Sequence, residues 1–160
     1  MNLFVRKNIY HLLDRYDVLD ESGQLIYTAD GFLTRLHGRL ILRDKYGIEV
    51  MRLRKRFNPF FAKYALCTAE EPDIPIVAMR QRFSFCPHFS IVYQDVDYEL
   101  RGNLRASNFD IHQADTLCSR VLKREMSWGD TYVVTLTDPD VIPVFASIAI
   151  ALDNALYHNH

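Results

Sequence analysis

Along the chain the hydrophobic period changes once, close to residue 137. Before that point apolar and polar positions alternate in short runs divided by turn residues, the pattern of half-buried strands. Tyr16-Asp17-Val18-Leu19 leads into the polar turn Asp20-Glu21-Ser22-Gly23, and residues 24–29 resume the alternation. Residues 39–43, the turn Asp44-Lys45-Tyr46-Gly47 and residues 48–57 repeat that hairpin signature. Further runs at 3–7, 63–68, 74–83, 89–93, 98–102, 109–113, 117–123 and 132–137 bring the prediction to about a dozen strands, as an all-β sandwich or barrel requires. Residues 32–38 fit either one helical turn or a bent strand.

Beyond residue 137 the period becomes helical. Asp140 is predicted as the N-cap, with Pro143 at the third helical position, where its missing N–H costs nothing. Residues 144–152 are apolar on every side and rich in alanine, and Asp153 and Asn154 then interrupt before Ala155-Leu156-Tyr157. A helix that is apolar all round must be enclosed, in a core or in a bilayer. A membrane span takes about 20 apolar residues, whereas residues 141–152 are 12 in number before a charge. The enclosed reading follows, and Ala146, Ala149, Ala151 and Ala155 keep the helix thin. The predicted fold is therefore a closed antiparallel β-barrel of about twelve strands around a central hydrophobic C-terminal helix. It forms a single domain over 1–160, with strands across 3–137 and the helix across 140–157.

Composition narrows the function without naming it. An apolar share of 49% and a charged share of 24% are those of an ordinary globular protein. The net charge of −1 disfavours nucleic acid as a partner, so any polyanion or lipid must be met by local clustering. The N-terminus, Met1 to Lys7, puts no long apolar stretch behind a basic start and reads as a strand, not a signal peptide. Three cysteines with no C-x-x-C spacing argue against a disulfide framework and for reduced, mostly buried thiols, pointing to a cytoplasmic protein.

The strongest local pattern is a repeat. Met51-Arg52-Leu53-Arg54-Lys55-Arg56-Phe57 aligns without gaps with Val77-Ala78-Met79-Arg80-Gln81-Arg82-Phe83, 26 residues later, and Arg120 to Met126 is a weaker third copy. Strand alternation puts Met51, Leu53 and Phe57 on one face and Arg52, Arg54 and Arg56 on the other. If the apolar faces line the barrel, Arg52, Arg54, Arg56, Arg80 and Arg82, with Lys123 from the third copy, form an outward basic stripe. Guanidinium groups suit phosphate, being permanently charged and able to bind two oxygens at once. The competing reading is a solvated exterior whose arginines pair with glutamates on adjacent strands.

Other chemistry is set aside. Asp14, Asp17, Asp20 and Glu21, and Glu70, Glu71 and Asp73, lack the spacing of a calcium loop and read as solvated turns. Six scattered histidines form no H-x-x-x-H, although His158 and His160 could hold a metal weakly at the terminus, and no G-x-S-x-G, P-loop or G-x-G-x-x-G occurs. No catalytic residue, metal or cofactor is expected, and the chain does not read as an enzyme. Trp128, in Ser127-Trp128-Gly129-Asp130-Thr131-Tyr132, is expected to staple a hairpin turn to the barrel.

The Gly23 and Gly47 hairpins, Met79-Arg80-Gln81-Arg82-Phe83, Ser127-Trp128-Gly129-Asp130-Thr131-Tyr132 and the final apolar helix together resemble the LURP-one-related family. That family groups with phospholipid scramblases and the Tubby C-terminal domain, and the likeness here is to a compact bacterial-type member. The resemblance implies a twelve-stranded barrel around a central helix, and it implies binding to membrane phospholipids. Tubby domains hold phosphoinositide headgroups with basic surface side chains; that site has no residue-by-residue match in this chain.

Two roles follow as expectations. One is a non-enzymatic module that docks on anionic membrane lipid headgroups through the arginine stripe, peripherally and not as a transmembrane protein. The other is a protein-interaction or self-association scaffold, with the aromatics of Phe57-Asn58-Pro59-Phe60-Phe61 and Phe83-Ser84-Phe85 at the partner surface.

Overall fold

The computed structural model describes residues 1–9, 12–34, 36–56, 58, 60–126 and 129–157. Among these residues twelve antiparallel strands close into a barrel around one helix. The strands are β1 (Asn2–Lys7), β2 (Asp14–Leu19), β3 (Leu25–Leu33), β4 (Gly38–Asp44), β5 (Glu49–Arg56) and β6 (Lys63–Thr68). They continue as β7 (Pro75–Gln81), β8 (His88–Tyr93), β9 (Val96–Gly102), β10 (Asn108–Gln113), β11 (Thr116–Met126) and β12 (Gly129–Thr135). Each strand pairs with the next in sequence, and β12 returns to β1 to close the ring, with Leu3 opposite Val134 and Val5 opposite Tyr132. Closure leaves no free sheet edge to recruit a foreign strand.

The hairpin turns form where the polar, glycine-containing tetrads predicted them. Asp20 accepts backbone N–H bonds from Ser22 and Gln24 on its carboxylate, and Asp44 does the same for Tyr46 and Ile48. Gly23 and Gly47 supply the left-handed residue that each turn needs, at φ of 83° and 81°. The stretch 32–38 is neither a helical turn nor one bent strand. β3 ends at Leu33, β4 starts at Gly38 opposite it, and a short hairpin connection joins the two antiparallel strands, with the Thr34 N–H bonded to the His37 carbonyl. Gly38 sits at φ 137°, and a Cβ there would lie 2.0 Å from the Phe32 carbonyl oxygen, so the bend admits no side chain.

The helix α1 (Ile142–Tyr157) follows a single 3₁₀ turn, Pro139–Val141. The cap is Asp138, not Asp140: its carboxylate accepts the Asp140 N–H at 2.9 Å while Pro139 occupies the first position, where its fixed φ starts the turn. Pro143 is therefore the second residue of α1. Pro139–Tyr157, at 19 residues, is long and apolar enough to cross a bilayer by length and composition. It lies instead inside the cylinder, where Ala146, Ala149 and Leu152 are wholly buried. Inward-facing side chains from around the ring, among them Val5, Val18, Leu40, Phe89, Phe109 and Val134, close over it. Removing a Leu or Phe side chain of this kind from water stabilises the fold by about 1.5–3 kcal/mol.

The barrel has two unlike ends. α1 enters beyond the last residue of β12, at the end holding the β2–β3, β4–β5, β6–β7, β8–β9 and β10–β11 connections. Four register shifts, beside Val18, Leu42, Leu66 and Ile111, lie toward this helix-entry end. Bulges are common at barrel rims, where they increase local twist. α1 finishes at the opposite, helix-exit end, among the β1–β2, β3–β4, β5–β6, β7–β8, β9–β10 and β11–β12 connections.

Candidate functional site

Strand alternation turns Met51 and Leu53 into the barrel and Arg52, Arg54 and Arg56 out of it. Pairing then brings other strands' cations beside them. Arg54 lies directly opposite Arg39 of β4, Arg56 opposite Lys63 of β6, and Lys63 opposite Arg80 of β7. Arg82 follows β7 immediately, its N–H bonded to the His88 carbonyl. The outer wall of β5, β6 and β7 thus carries Arg54, Arg56, Lys63, Arg80 and Arg82 toward the helix-exit end. None of these five makes an ion pair with another described residue, and Arg56, Arg80 and Arg82 are exposed.

Like charges placed directly opposite on neighbouring strands destabilise a sheet. On other strands opposite signs meet: Asp110 stands between Arg101 and Arg120, and Arg43 bonds Asp30 at 2.7 Å, while the acids Glu125 and Asp130 face each other on β11 and β12. The β5–β7 wall sets cation against cation. A row of unpaired guanidinium and ammonium groups has oriented donors to spare for a multivalent oxyanion.

Two of the expected residues stand apart from this row. Arg52 is committed to Glu49, whose carboxylate accepts hydrogen bonds from the guanidinium and is held below its ordinary range chiefly by them. Lys123 does not join the outer stripe. Its parity matches Ser119 and Val121, so it turns inward, and β11 lies six strands from β5 around a ring of twelve. There its Nζ is 3.4 Å from Asp130 and 3.1 Å from the centre of the Tyr157 ring. Lys63, which joins the row, was not singled out from the sequence, because only the registers of β5, β6 and β7 place it between Arg56 and Arg80.

A second cluster lies inside the barrel at the helix-exit end. Asp153 accepts hydrogen bonds from the hydroxyls of Tyr16 and Tyr132, each at 2.5 Å, with Lys7 Nζ 3.5 Å away. Asn154 accepts from Lys55 Nζ at 2.7 Å and from the Tyr64 hydroxyl at 2.6 Å. Tyr157 donates to the Ala106 carbonyl. Lys7, Lys55 and Lys123 therefore surround the last turns of α1, where the helix dipole favours cations. Burial first, and the Asp153 charge second, push Tyr16, Tyr64 and Tyr132 well above the usual phenol range. A tyrosine serving as a base or nucleophile needs the opposite shift, so this cluster is suited to anchoring the helix.

The remaining candidates resolve simply. Among the described residues no three of His, Cys, Asp and Glu gather as a metal site would require. The cysteines are free, with Cys67 buried and Cys86 and Cys118 half-buried, so the expectation of mostly buried thiols holds for one of the three. Phe60, Phe83 and Phe85 are exposed and Phe61 is half-buried. His11, Phe57, Pro59, Ser127, Trp128, His158 and His160 lie outside the described residues.

The chain has relatives among known proteins. Over 159 residues, covering 99% of the chain and 96% of the relative, it is 22% identical to uncharacterized protein YxjI of Bacillus subtilis (strain 168). Over 134 residues, 72% of the chain and 68% of the relative, it is 27% identical to protein LURP-one-related 9 of Arabidopsis thaliana. No solved structure matches it significantly. A family profile described as LURP-one-related matches residues 1–153, and the chain belongs to that family.

Proposed function

We propose that this protein is a non-enzymatic module that binds anionic phospholipid headgroups through the outer wall of β5–β7, acting peripherally at a membrane from the cytoplasm. The observation that supports it is the run of like charges across three strands, Arg56 opposite Lys63 and Lys63 opposite Arg80, without counter-ions among the described residues. Repulsion within such a row is relieved by phosphate, and two oxygens per guanidinium give each contact a defined geometry. Arg54 and Arg82 widen the row.

Cosedimentation with vesicles of phosphatidylcholine, with and without phosphatidylserine or a phosphoinositide, tests the reading. Binding should require the acidic lipid, weaken as salt rises, and be lost when Arg54, Arg56, Arg80 and Arg82 are replaced together by Gln. Unchanged binding by that fourfold variant defeats the proposal.

A further inference from the structure

We propose that the barrel docks end-on, with the loop tips of its helix-exit end inserted among the headgroups of a bilayer carrying acidic lipid, and the helix-entry end facing solvent. This rests on the lipid reading above and adds the mode and orientation of attachment.

The first observation is an axial segregation of charge. In sequence, the six connections at the helix-exit end contain no Asp or Glu, and they contain Arg35, Arg82 and Arg105. The connections at the other end, counted with the segment leading into α1, hold nine of the chain's twenty acidic residues, Glu70, Glu71 and Asp73 among them, against one base, Lys45. A net charge of −1 conceals this division. Near an anionic surface the molecule experiences a torque that turns the end with acid-free connections inward and the end with acidic connections away, although Glu125 and Asp130 stand opposite each other beside the β11–β12 hairpin.

The second observation is a set of exposed apolar side chains at the helix-exit tips; at the other end Tyr46, Ile48 and Ile74 are exposed, beside the acids. Each helix-exit connection that the structure describes carries one at its tip: Leu12, Leu36, Phe60, Phe83 with Phe85, and Leu104. Phe60, Phe83 and Phe85 are 83%, 91% and 95% exposed, so they contribute nothing to the core. These tips sit on separate hairpins around the barrel mouth. A fluid surface can meet all of them at once, and each then recovers the burial that folding denies it. The β5–β6 connection joins Arg56 to Lys63, and Arg82 opens the β7–β8 connection two residues after Arg80. Seating the phenylalanines at the acyl boundary places those cations at the level of the phosphates.

Vesicle cosedimentation at low and high salt, together with the surface-pressure rise of a phosphatidylserine-containing monolayer, tests this on the 160-residue chain. The unmodified protein should raise the pressure and keep part of its vesicle binding at high salt. F60S/F83S/F85S should melt like the parent, lose the pressure rise and the salt-resistant binding, and bind vesicles about tenfold or more weakly. L104S, on a different hairpin, should shift binding the same way, and E70Q/E71Q/D73N at the far end should not weaken it. If the phenylalanine variant matches the parent while the arginine variant fails to bind, end-on insertion is refuted and headgroup binding stands. A parent that ignores vesicles removes both ideas, and a parent that self-associates through these tips instead identifies a protein surface and overturns the proposal.

Discussion

The carboxylate of Asp153 and the hydroxyl of Tyr132 meet at 2.5 Å inside the barrel. Tyr132 lies on β12, Lys7 on β1 and Tyr16 on β2, so the groups that converge on Asp153 come from three adjacent strands. Their centre is the β1–β12 pairing, the one junction in the ring not closed by a local connection. Asn154 points about 100° further around the helix and holds Lys55 of β5 and Tyr64 of β6, four and five strands away. Two consecutive polar residues thus fasten α1 to separate parts of the wall.

Asp153→Ala should destabilise the protein by about 3–5 kcal/mol, because it strands Lys7 and two buried hydroxyls without an acceptor. Asp153→Asn keeps one acceptor and should cost less, about 1–3 kcal/mol. Urea unfolding of both variants measures the difference; equal, small losses would mean that the seam does not depend on this residue.

The buried tyrosines predict the response to alkali. Tyr16, Tyr64 and Tyr132 have folded-state pKa values raised above those of the unfolded chain. Their stabilising contribution is complete below about pH 10, where tyrosines of the unfolded chain are also neutral. Above it the unfolded state loses protons that the folded state retains, so each should reduce stability by about 1.4 kcal/mol per pH unit. Tyrosinate absorbance should rise in two stages, these three ionising only as circular dichroism reports unfolding. A single early rise with the fold intact would contradict the buried assignment.

Lys55 and Arg54 are neighbours in sequence with opposite duties. Lys55→Met should lower stability by about 1–3 kcal/mol through loss of its bond to Asn154 while leaving vesicle affinity unchanged. Arg54→Gln should barely change the melting temperature and should weaken vesicle binding. Parallel melting and cosedimentation separate the two; a Lys55 variant that folds normally and loses lipid binding would place the site inside the barrel.

Alanine spacing on α1 limits how thick the central helix can be. Ala149 is wholly buried, with strands on all sides of the helix. Ala149→Leu should therefore overpack the interior and cost about 1–3 kcal/mol or more, seen as a lower urea midpoint. A neutral result would reveal spare volume beside the helix.

Much of this was legible in the residues themselves. Period-two runs between Asp- and Gly-containing turns marked the strands, because side-chain direction in a strand alternates from one residue to the next. The apolar run with alanines marked an enclosed helix. Even the inward position of Lys55 follows from its parity with Met51 and Leu53, although a lysine among arginines reads as one more surface cation. Asp138 and Asp140 both precede the helix as possible caps, and only the 3₁₀ turn started by Pro139 distinguishes them.

What the amino-acid order determined by itself was local: which segments are strands, which is the helix, and which way most strand side chains point, Lys123 being the exception. Only the closed structure decided who stands beside whom. In sequence Asp153 is a charge that interrupts an apolar run; its partner, Tyr16, is 137 residues away. The Arg56–Lys63–Arg80 row and the grouping of acid-free connections at one end depend likewise on strand register and on the direction in which each hairpin turns. Those are properties of ring closure, in which twelve pairings must be satisfied together, and no single window of sequence contains them.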